Sequence, residues 1–113
     1  QLQCRGIVQQ ALHGCNGTIF AYGQTSAGKS YTMLDSSQSC RGVCAHAVED
    51  VFKWISDHPN ADFAVYASCL EIYNENVKDL LTVPKGKSLK IVEDKLMGTK
   101  VSDLTEVPVA SEK

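Results

Sequence analysis

Residues 23–30 read GQTSAGKS and match the pattern G-x-x-x-x-G-K-[ST], which is typical of a loop that holds phosphate groups. Gly23 and Gly28 would let the backbone wrap closely around an anion with its N–H groups turned inward. Lys29 would bring its ammonium to the β- and γ-phosphates, and Ser30 would offer its hydroxyl to Mg²⁺. The apolar stretch TIFAY ends directly before Gly23. The pattern and its context therefore predict a nucleotide phosphate site.

The predicted phosphate-binding residues are contiguous, and the last of them is also the predicted Mg²⁺ ligand: Gly23, Gln24, Thr25, Ser26, Ala27, Gly28, Lys29 and Ser30. The alternative is a chance match in a glycine-containing turn. At ordinary residue usage such a match is expected in only about 0.4% of chains of this length. The phosphate site is therefore the better interpretation.

Splitting a nucleotide needs a second acidic group near Mg²⁺ and a group that orients the attacking water. Only LKIVED offers such a carboxylate at the end of an apolar run, at Asp94, and Lys90 interrupts that run. The alternative for Asp94 is an exposed carboxylate at a β-turn. Glu71 lies inside a long apolar segment and need not be catalytic. We therefore assign no catalytic residue within the chain.

Composition excludes several classes of protein. A net charge of −2 disfavours a globally basic nucleic-acid binder, and 43% hydrophobic residues are enough for a packed core. No stretch is long enough to span a membrane, and the start has no apolar leader and no methionine, so the chain is either processed or begins inside a gene. Five cysteines form no CxxC pair, which indicates free thiols rather than a zinc site.

Apolar spacing predicts alternating helices and strands, and hence an α/β layer protein. Helices are expected at 3–14, ended by a turn in GCNG, from Lys29 onward, at 43–58, and, after a turn, as a short helix within 74–81. Strands are expected at 18–22 (buried), at 63–73 (central), and as a pair at 89–94 and 99–106 around the turn KLMG. Polar loops are expected at 35–42 and around TVPKGKS. His13 and His58 fall at expected helix ends, where we interpret them as caps or as solvated.

Several of these segments resemble kinesin motor heads. Residues 14–33 (GCNGTIFAYGQTSAGKSYTM) closely resemble the kinesin phosphate-loop signature, and residues 71–81 (EIYNENVKDLL) resemble a second kinesin signature. RGVCAHAVEDVF (41–52) and KIVEDKLMGTKVSDLTEVPV (90–109) are similar to the segments that lie between and after them. The motifs occur in the family's order and cover essentially the whole chain. GTKVSDLTE is also similar to the centromere-associated mitotic subfamily.

The resemblance implies a P-loop NTPase fold, with residues 1–113 forming part of a kinesin motor head built on a central β-sheet flanked by helices. It implies ATP and Mg²⁺ as cofactors, the microtubule as partner, and the cytoplasm and cytoskeleton as location. The intact protein would be a microtubule-stimulated ATPase. The head's first strand, both switches and the neck would lie outside this chain, and so would the segments that set the oligomeric state. We expect the 113-residue chain alone to be inactive and only marginally stable.

The resemblance also adds site residues. Tyr31 would lie near the adenine, residues 34–41 would form a variable loop, and the region from Glu93 to Lys100, with Lys95 and Lys100, would touch tubulin. Residues 85–100 carry five lysines against two acidic residues, a net charge of +3 that suits an acidic microtubule surface. The alternative is an ordinary solvated lysine-rich loop.

The chain departs from the family at two places. Ser30 stands where threonine is common, which keeps a hydroxyl for Mg²⁺. Ala45 and His46 stand where many kinesins have proline and arginine, and we interpret His46 as a surface substitution. Two other functions stay open at this point: a truncated, non-catalytic nucleotide- or tubulin-binding fragment, and a P-loop phosphotransferase of another family. EIYNENVKDLL argues against the latter.

Overall fold

The computed structural model describes residues 2–37, 40–83, 86–96 and 98–110. The predicted variable loop, lysine-rich loop and KLMG turn each include positions outside these ranges, namely Gln38, Ser39, Pro84, Lys85 and Met97. Contacts between backbone segments divide the chain into two compact units. Among the described residues, the first runs over residues 2–63 and the second over residues 64–110.

The first unit is mainly helical. Its helices are α1 (Leu2–Leu12), α2 (Lys29–Leu34) and α3 (Val43–Ser56). Both α1 and α2 pack against α3, and Val8 of α1 is buried. Two short antiparallel strands, β1 (Ser36–Ser37) and β2 (Cys40–Arg41), lie between α2 and α3. The three helices predicted for this region are confirmed: α1 and α3 carry apolar spacing at the helical period, and α2 follows the phosphate loop with helix-compatible residues.

Backbone geometry at Gly14 ends α1. Gly14 adopts φ 92°, which favours glycine. The N–H groups of Gly14 and Cys15 donate to the carbonyls of Ala11 and Gln10, each at 3.0 Å. These bonds satisfy carbonyls that a helix end leaves without partners. The predicted helix stop in GCNG is therefore confirmed.

The predicted buried strand at residues 18–22 is wrong. The segment is irregular, and its aromatic side chains face solvent, with Phe20 82% and Tyr22 96% exposed. A strand forms only where neighbouring strands take up its N–H and C=O groups, and no described residue of this chain pairs with the segment. Its apolar and β-branched composition therefore does not decide its structure by itself.

The second unit consists of small antiparallel sheets. One has three strands in the order β4 (Leu70–Tyr73), β5 (Asn76–Asp79) and β6 (Lys87–Leu89). A hairpin joins β7 (Ile91–Asp94) to β8 (Gly98–Val101), and β3 (Tyr66–Ala67) pairs with β9 (Val107–Pro108). The predicted strand pair around KLMG is confirmed with shorter strands, since Leu89 belongs to β6 and β8 ends at Val101. The single central strand predicted at 63–73 is wrong, because its two halves, β3 and β4, pair with different strands.

The helix predicted within residues 74–81 is also wrong. Asn74 (φ 47°) and Glu75 (φ 62°) form a two-residue hairpin turn between β4 and β5, with the positive φ at both positions that a type I′ turn requires. Beyond the turn, burial alternates with period two, as in a strand. Val77 is buried directly opposite the buried Leu89 of β6. This pair forms the apolar centre of the three-stranded sheet.

Candidate functional site

The phosphate-loop segment turns sharply into α2. The N–H of Ala27 donates to the carbonyl of Gln24 at 3.2 Å, closing a tight turn. Ser26 has φ 67°, and Gly28, the residue that precedes α2, has φ 87° and ψ 16°. Left-handed backbone at Gly28 explains why glycine stands there. A serine in this region is uncommon, and such outliers concentrate at ligand-binding loops.

Gly23 suits the loop for a different reason, namely close approach. A Cβ atom at Gly23 would lie 3.2 Å from the Cβ of Ala27, tighter than an ordinary van der Waals contact. The loop therefore folds back on its own first residue. The two glycines of the motif have separate tasks: Gly23 allows the loop to close, and Gly28 allows it to turn into the helix.

The side chain of Lys29 spans the loop from the start of α2. Its ammonium donates to the carbonyl oxygens of Gly23 and Gln24, both at 2.7 Å. An ammonium group has three N–H donors, so these two bonds fix its position while one donor remains for an anion. Lys29 is half-buried, which also limits the solvent screening of its charge.

Six of the predicted residues line an open depression of about 350 Å³: Thr25, Ser26, Gly28, Lys29, Ser30 and Tyr31. Four hydroxyl side chains and one ammonium contribute to its lining, which suits the oxygens of a polyphosphate. A hard cation such as Mg²⁺ takes oxygen ligands, and the hydroxyl of Ser30 is of that type. Gln24 contributes its carbonyl to Lys29, and Ala27 packs against Gly23. The structure thus brings the phosphate-loop residues together.

Asp94 lies elsewhere, in the second unit, at the end of β7. Its Oδ1 accepts the N–H of Leu96 at 2.9 Å, and its Oδ2 accepts the ammonium of Lys100 at 2.8 Å. Both oxygens therefore have partners within the β7–β8 hairpin, as the turn alternative predicts. Glu71 is exposed on β4, with Lys78 as its cross-strand neighbour.

The predicted tubulin-contact lysines both lie on this hairpin. Lys95 is exposed at the turn after β7, and Lys100 is half-exposed on β8 in the ion pair with Asp94. Lys87 and Lys90 are exposed nearby in the sequence, whereas Lys85 falls outside the described residues. Since Lys100 and Asp94 neutralise each other, two exposed charges remain on the hairpin, the negative charge of Glu93 on β7 and the positive charge of Lys95 at the turn.

Sequence reasoning missed Asp79, which is completely buried at the end of β5. Its Oδ1 accepts the N–H of Leu81, and its Oδ2 accepts the N–H of Thr105, each at 2.8 Å. A hydrogen bond from the Thr105 side chain, followed by the backbone donors, outweighs burial and holds the pKa of Asp79 below its ordinary value. The available signal was its spacing of two from Val77, which places both on the buried face of a strand.

Two histidines cap helix ends, as predicted. The Nδ1–H groups of His13 and His58 donate to the carbonyls of Gln9 and Trp54, each at 2.7 Å. The ring of His58 stacks on Trp54 with centroids 4.1 Å apart. His46 is half-buried, with its Nδ1 3.5 Å from a carboxylate oxygen of Glu49. These contacts give the three histidines structural roles in the first unit.

Within the described ranges, no three His, Cys, Asp or Glu side chains converge as metal ligands. Helices in the same part of the chain are too short or too polar to cross a bilayer.

The kinesin motor domain family matches residues 2–113. The chain therefore belongs to the kinesins, which are motor proteins of microtubule-based movement, and the resemblance predicted from the sequence is confirmed. That family uses nucleotide and Mg²⁺ and binds microtubules, and membership in it removes the phosphotransferase alternative.

Named relatives refine the comparison. The chain is 48% identical over 102 residues to kinesin-like protein KIN-7A of Arabidopsis thaliana, covering 90% of this chain and 10% of that protein. It is 50% identical over 105 residues to kinesin-like protein KIN-7G of Oryza sativa subsp. japonica, covering 93% and 11%. It is 46% identical over 101 residues to centromere-associated protein E of Homo sapiens, covering 88% and 4%. The chain thus spans about a tenth or less of the length of these relatives.

Proposed function

We propose that residues 1–113 are the nucleotide-binding part of an ATP-dependent microtubule motor, in which the loop 23–30 binds the phosphates of ATP–Mg. The observation that carries the proposal is the position of Lys29. Two carbonyls of the same loop hold its ammonium by hydrogen bonds. Lys29 also lines a depression together with hydroxyl side chains, where its third N–H donor is left for a ligand.

Each residue has a separate task in this proposal. Lys29 donates to the β- and γ-phosphate oxygens, where a charge-assisted hydrogen bond is strong. Gly23 and Gly28 allow the backbone N–H groups to approach the phosphates, and Tyr31 contacts the adenine. When bound, Mg²⁺ would offset phosphate charge, and Ser30 is the ligand that this loop offers it. The proposal assigns binding and orientation to these residues, and leaves activation of water to other parts of the motor.

The second part of the proposal concerns the β7–β8 hairpin. We infer that Lys95, with Lys100, contacts the acidic surface of tubulin. The support is the exposed position of Lys95 at the turn of a hairpin in which both carboxylate oxygens of Asp94 accept hydrogen bonds, one from Leu96 and one from Lys100. A charge of this kind raises the rate of encounter with an acidic partner more than the final affinity.

A non-catalytic nucleotide- or tubulin-binding fragment makes use of the same residues. The size of the native gene product separates it from a working motor. An immunoblot followed by intact mass determination would show a product well above 12.3 kDa for a motor and a product at 12.3 kDa for a fragment. Location in the cytoplasm and cytoskeleton is part of the motor proposal, although relatives include proteins named as chloroplastic and mitochondrial.

The phosphate-loop assignment is tested by the variant Lys29→Ala. Loss of a charged hydrogen bond to the phosphates should weaken binding of fluorescently labelled ATP by roughly tenfold to a hundredfold. The matched control is Lys53→Ala, which removes an equal charge from the exposed face of α3. Equal affinities of the unaltered protein and Lys29→Ala, in an equilibrium titration with Mg²⁺ present, would contradict the proposal.

A further inference from the structure

Gly42 directly precedes α3 and lies against the backbone at the end of α2, with no room for a side chain. A Cβ atom at this position would lie 2.6 Å from the carbonyl oxygen of Met33 and 2.7 Å from the backbone nitrogen of Asp35. Gly42 is buried, and its φ of −68° suits any residue. The requirement for glycine therefore comes from neighbouring backbone, which cannot rotate aside as a flexible side chain can.

A hydrogen bond fixes the same junction. The N–H of Gly42 donates to the carbonyl of Asp35 at 2.7 Å. Asp35 ends α2, and its own N–H donates to the carbonyl of Tyr31 at 3.3 Å. One turn earlier, the N–H of Thr32 donates to the carbonyl of Gly28 at 2.9 Å. A continuous series of backbone contacts thus connects Gly42 to the last glycine of the phosphate loop.

The shortness of α2 makes this connection stiff. The helix has six residues, so it spans about 9 Å. Lys29 and Ser30 occupy its first two positions, and Met33 lies in its last turn. A side chain at position 42 would push the last turn by roughly 1 Å to reach ordinary carbon–oxygen separations. Because the helix is this short, a shift of its last turn also displaces Lys29 and Ser30 at its N-terminal end.

We propose that Gly42 is a positioning residue for the nucleotide site: it seats the C-terminal end of α2 against α3 and thereby sets where Lys29 and Ser30 meet the phosphates. This inference rests on the proposed function. It adds a residue outside the phosphate-loop motif, 12 positions beyond Ser30, whose effect on nucleotide binding passes through the helix backbone.

The test is Gly42→Ala in the full gene product, titrated with labelled ATP, ADP and AMP. Because the displaced residues hold the outer phosphates, affinity for ATP and ADP should fall by about tenfold, and affinity for AMP should fall less. A variant that only loosens the fold would lose all three alike. The matched control is Gly6→Ala in α1, where a Cβ would have no atom within 4 Å. Unchanged affinity, or equal losses for the three nucleotides, would overturn the inference.

Amide hydrogen exchange tests the mechanical link without nucleotide. Gly42→Ala should speed exchange within residues 28–35, and should leave the hairpin β7–β8 unchanged. Exchange that rises equally along the whole chain, or nowhere, refutes the link. If the unaltered protein binds none of the three nucleotides, the proposed function fails, and the exchange pattern still decides whether Gly42 holds α2 in place.

A second variant pair avoids the steric clash in case Gly42→Ala does not fold. Leu34 lies in the last turn of α2 with its side chain 69% exposed. Leu34→Gly would make the helix flexible between Gly42 and the loop, whereas Leu34→Ala removes the same contacts but keeps helix propensity. We expect the phosphate-dependent loss of affinity for Leu34→Gly alone. Equal behaviour of the two variants counts against the inference.

Discussion

At the scale of single residues, the buried carboxylate of Asp79 connects two separate segments of the second unit. This carboxylate accepts backbone N–H groups from Leu81, just after β5, and from Thr105, which lies 26 residues further along the chain. A buried charge of this kind is tolerated because several donors replace the water that it loses. Through these hydrogen bonds, Asp79 links the segment before β9 to the end of β5.

Asp79→Asn should destabilise the protein at pH 7, because one amide N–H₂ group would face donors where an oxygen now accepts. The pKa of Asp79 is lowered from 3.8 in the folded state, so its contribution is complete above pH 3.8 and is lost as pH falls through the lower folded value. In urea unfolding measured from pH 7 to pH 2, the free energy of unfolding should fall more steeply with acid for the unaltered protein than for Asp79→Asn.

The control is Asp103→Asn, since Asp103 is exposed and has φ 56°, a region that asparagine also tolerates. This variant should unfold at nearly the same urea concentration as the unaltered protein. If the free energy of unfolding changes with pH in the same way for Asp79→Asn and the unaltered protein, the carboxylate of Asp79 does not stabilise the fold as described.

At the scale of elements, the β7–β8 hairpin combines one internal ion pair with two exposed charges, Glu93 and Lys95. The Asp94–Lys100 pair bridges its strands, and the N–H of Leu96 bonds to the same carboxylate. Exposed ion pairs contribute little to stability, with about 0 to 1 kcal/mol as the usual range. Their net charge is also zero, so they add little to attraction for an acidic partner at a distance.

Lys95→Ala should therefore weaken co-sedimentation with microtubules by roughly twofold to fivefold at low salt, and should reduce its salt dependence. The matched control is Lys53→Ala, which removes an equal charge from the exposed face of α3. We expect it to bind nearly as the unaltered protein does. A loss for Lys53→Ala as large as that for Lys95→Ala would contradict a specific contact at the hairpin.

Prediction from sequence succeeded where a structure depends on nearby residues. The three helices, the stop at Gly14 and the hairpin around KLMG each carry their own spacing or turn residues. The phosphate-loop residues were predicted to lie together for the same reason, since the motif spans only residues 23–30 and depends on neighbours in the sequence. The turn expected at the start of residues 74–81 is present at Asn74 and Glu75, but the strand after it was missed because Asn-Glu is not the Asn-Gly pair that usually indicates a two-residue hairpin turn.

Prediction failed where a structure depends on residues far along the chain. Residues 18–22 have the composition of a strand, but a strand needs partners. Gly42 looked like one more loop glycine, since its contact with Met33 exists only after α2 and α3 have packed. Asp79 was overlooked because its main partner, Thr105, is remote in sequence.

At the scale of the whole molecule, the described part of the chain buries few apolar side chains. Only Val8, Val77 and Leu89 are buried hydrophobic residues in it, whereas Tyr22, Val83 and Leu96 are each more than 90% exposed. Hydrophobic burial is the main driving force of folding, and contiguous exposed apolar surface promotes association. The 113-residue chain expressed alone should therefore be marginally stable.

We expect the isolated chain to bind a hydrophobic dye such as ANS, to elute as a mixture of sizes, and to unfold over a broad temperature range. The full gene product, measured at the same molar concentration, serves as the comparison and should bind less dye per molecule. A monodisperse monomer of the isolated chain with one sharp thermal transition would contradict this expectation.

The cluster around Trp54 has a consequence for how the chain is observed. Trp54 is the one tryptophan of the sequence, and the rings near it, His58 and Phe63, belong with it to the first unit. Tryptophan fluorescence therefore reports on the helical unit alone, while far-ultraviolet circular dichroism reports on helices and sheets together. Melting curves recorded both ways will coincide if residues 64–110 lose their structure together with the helices, and will separate if the sheets unravel at another temperature.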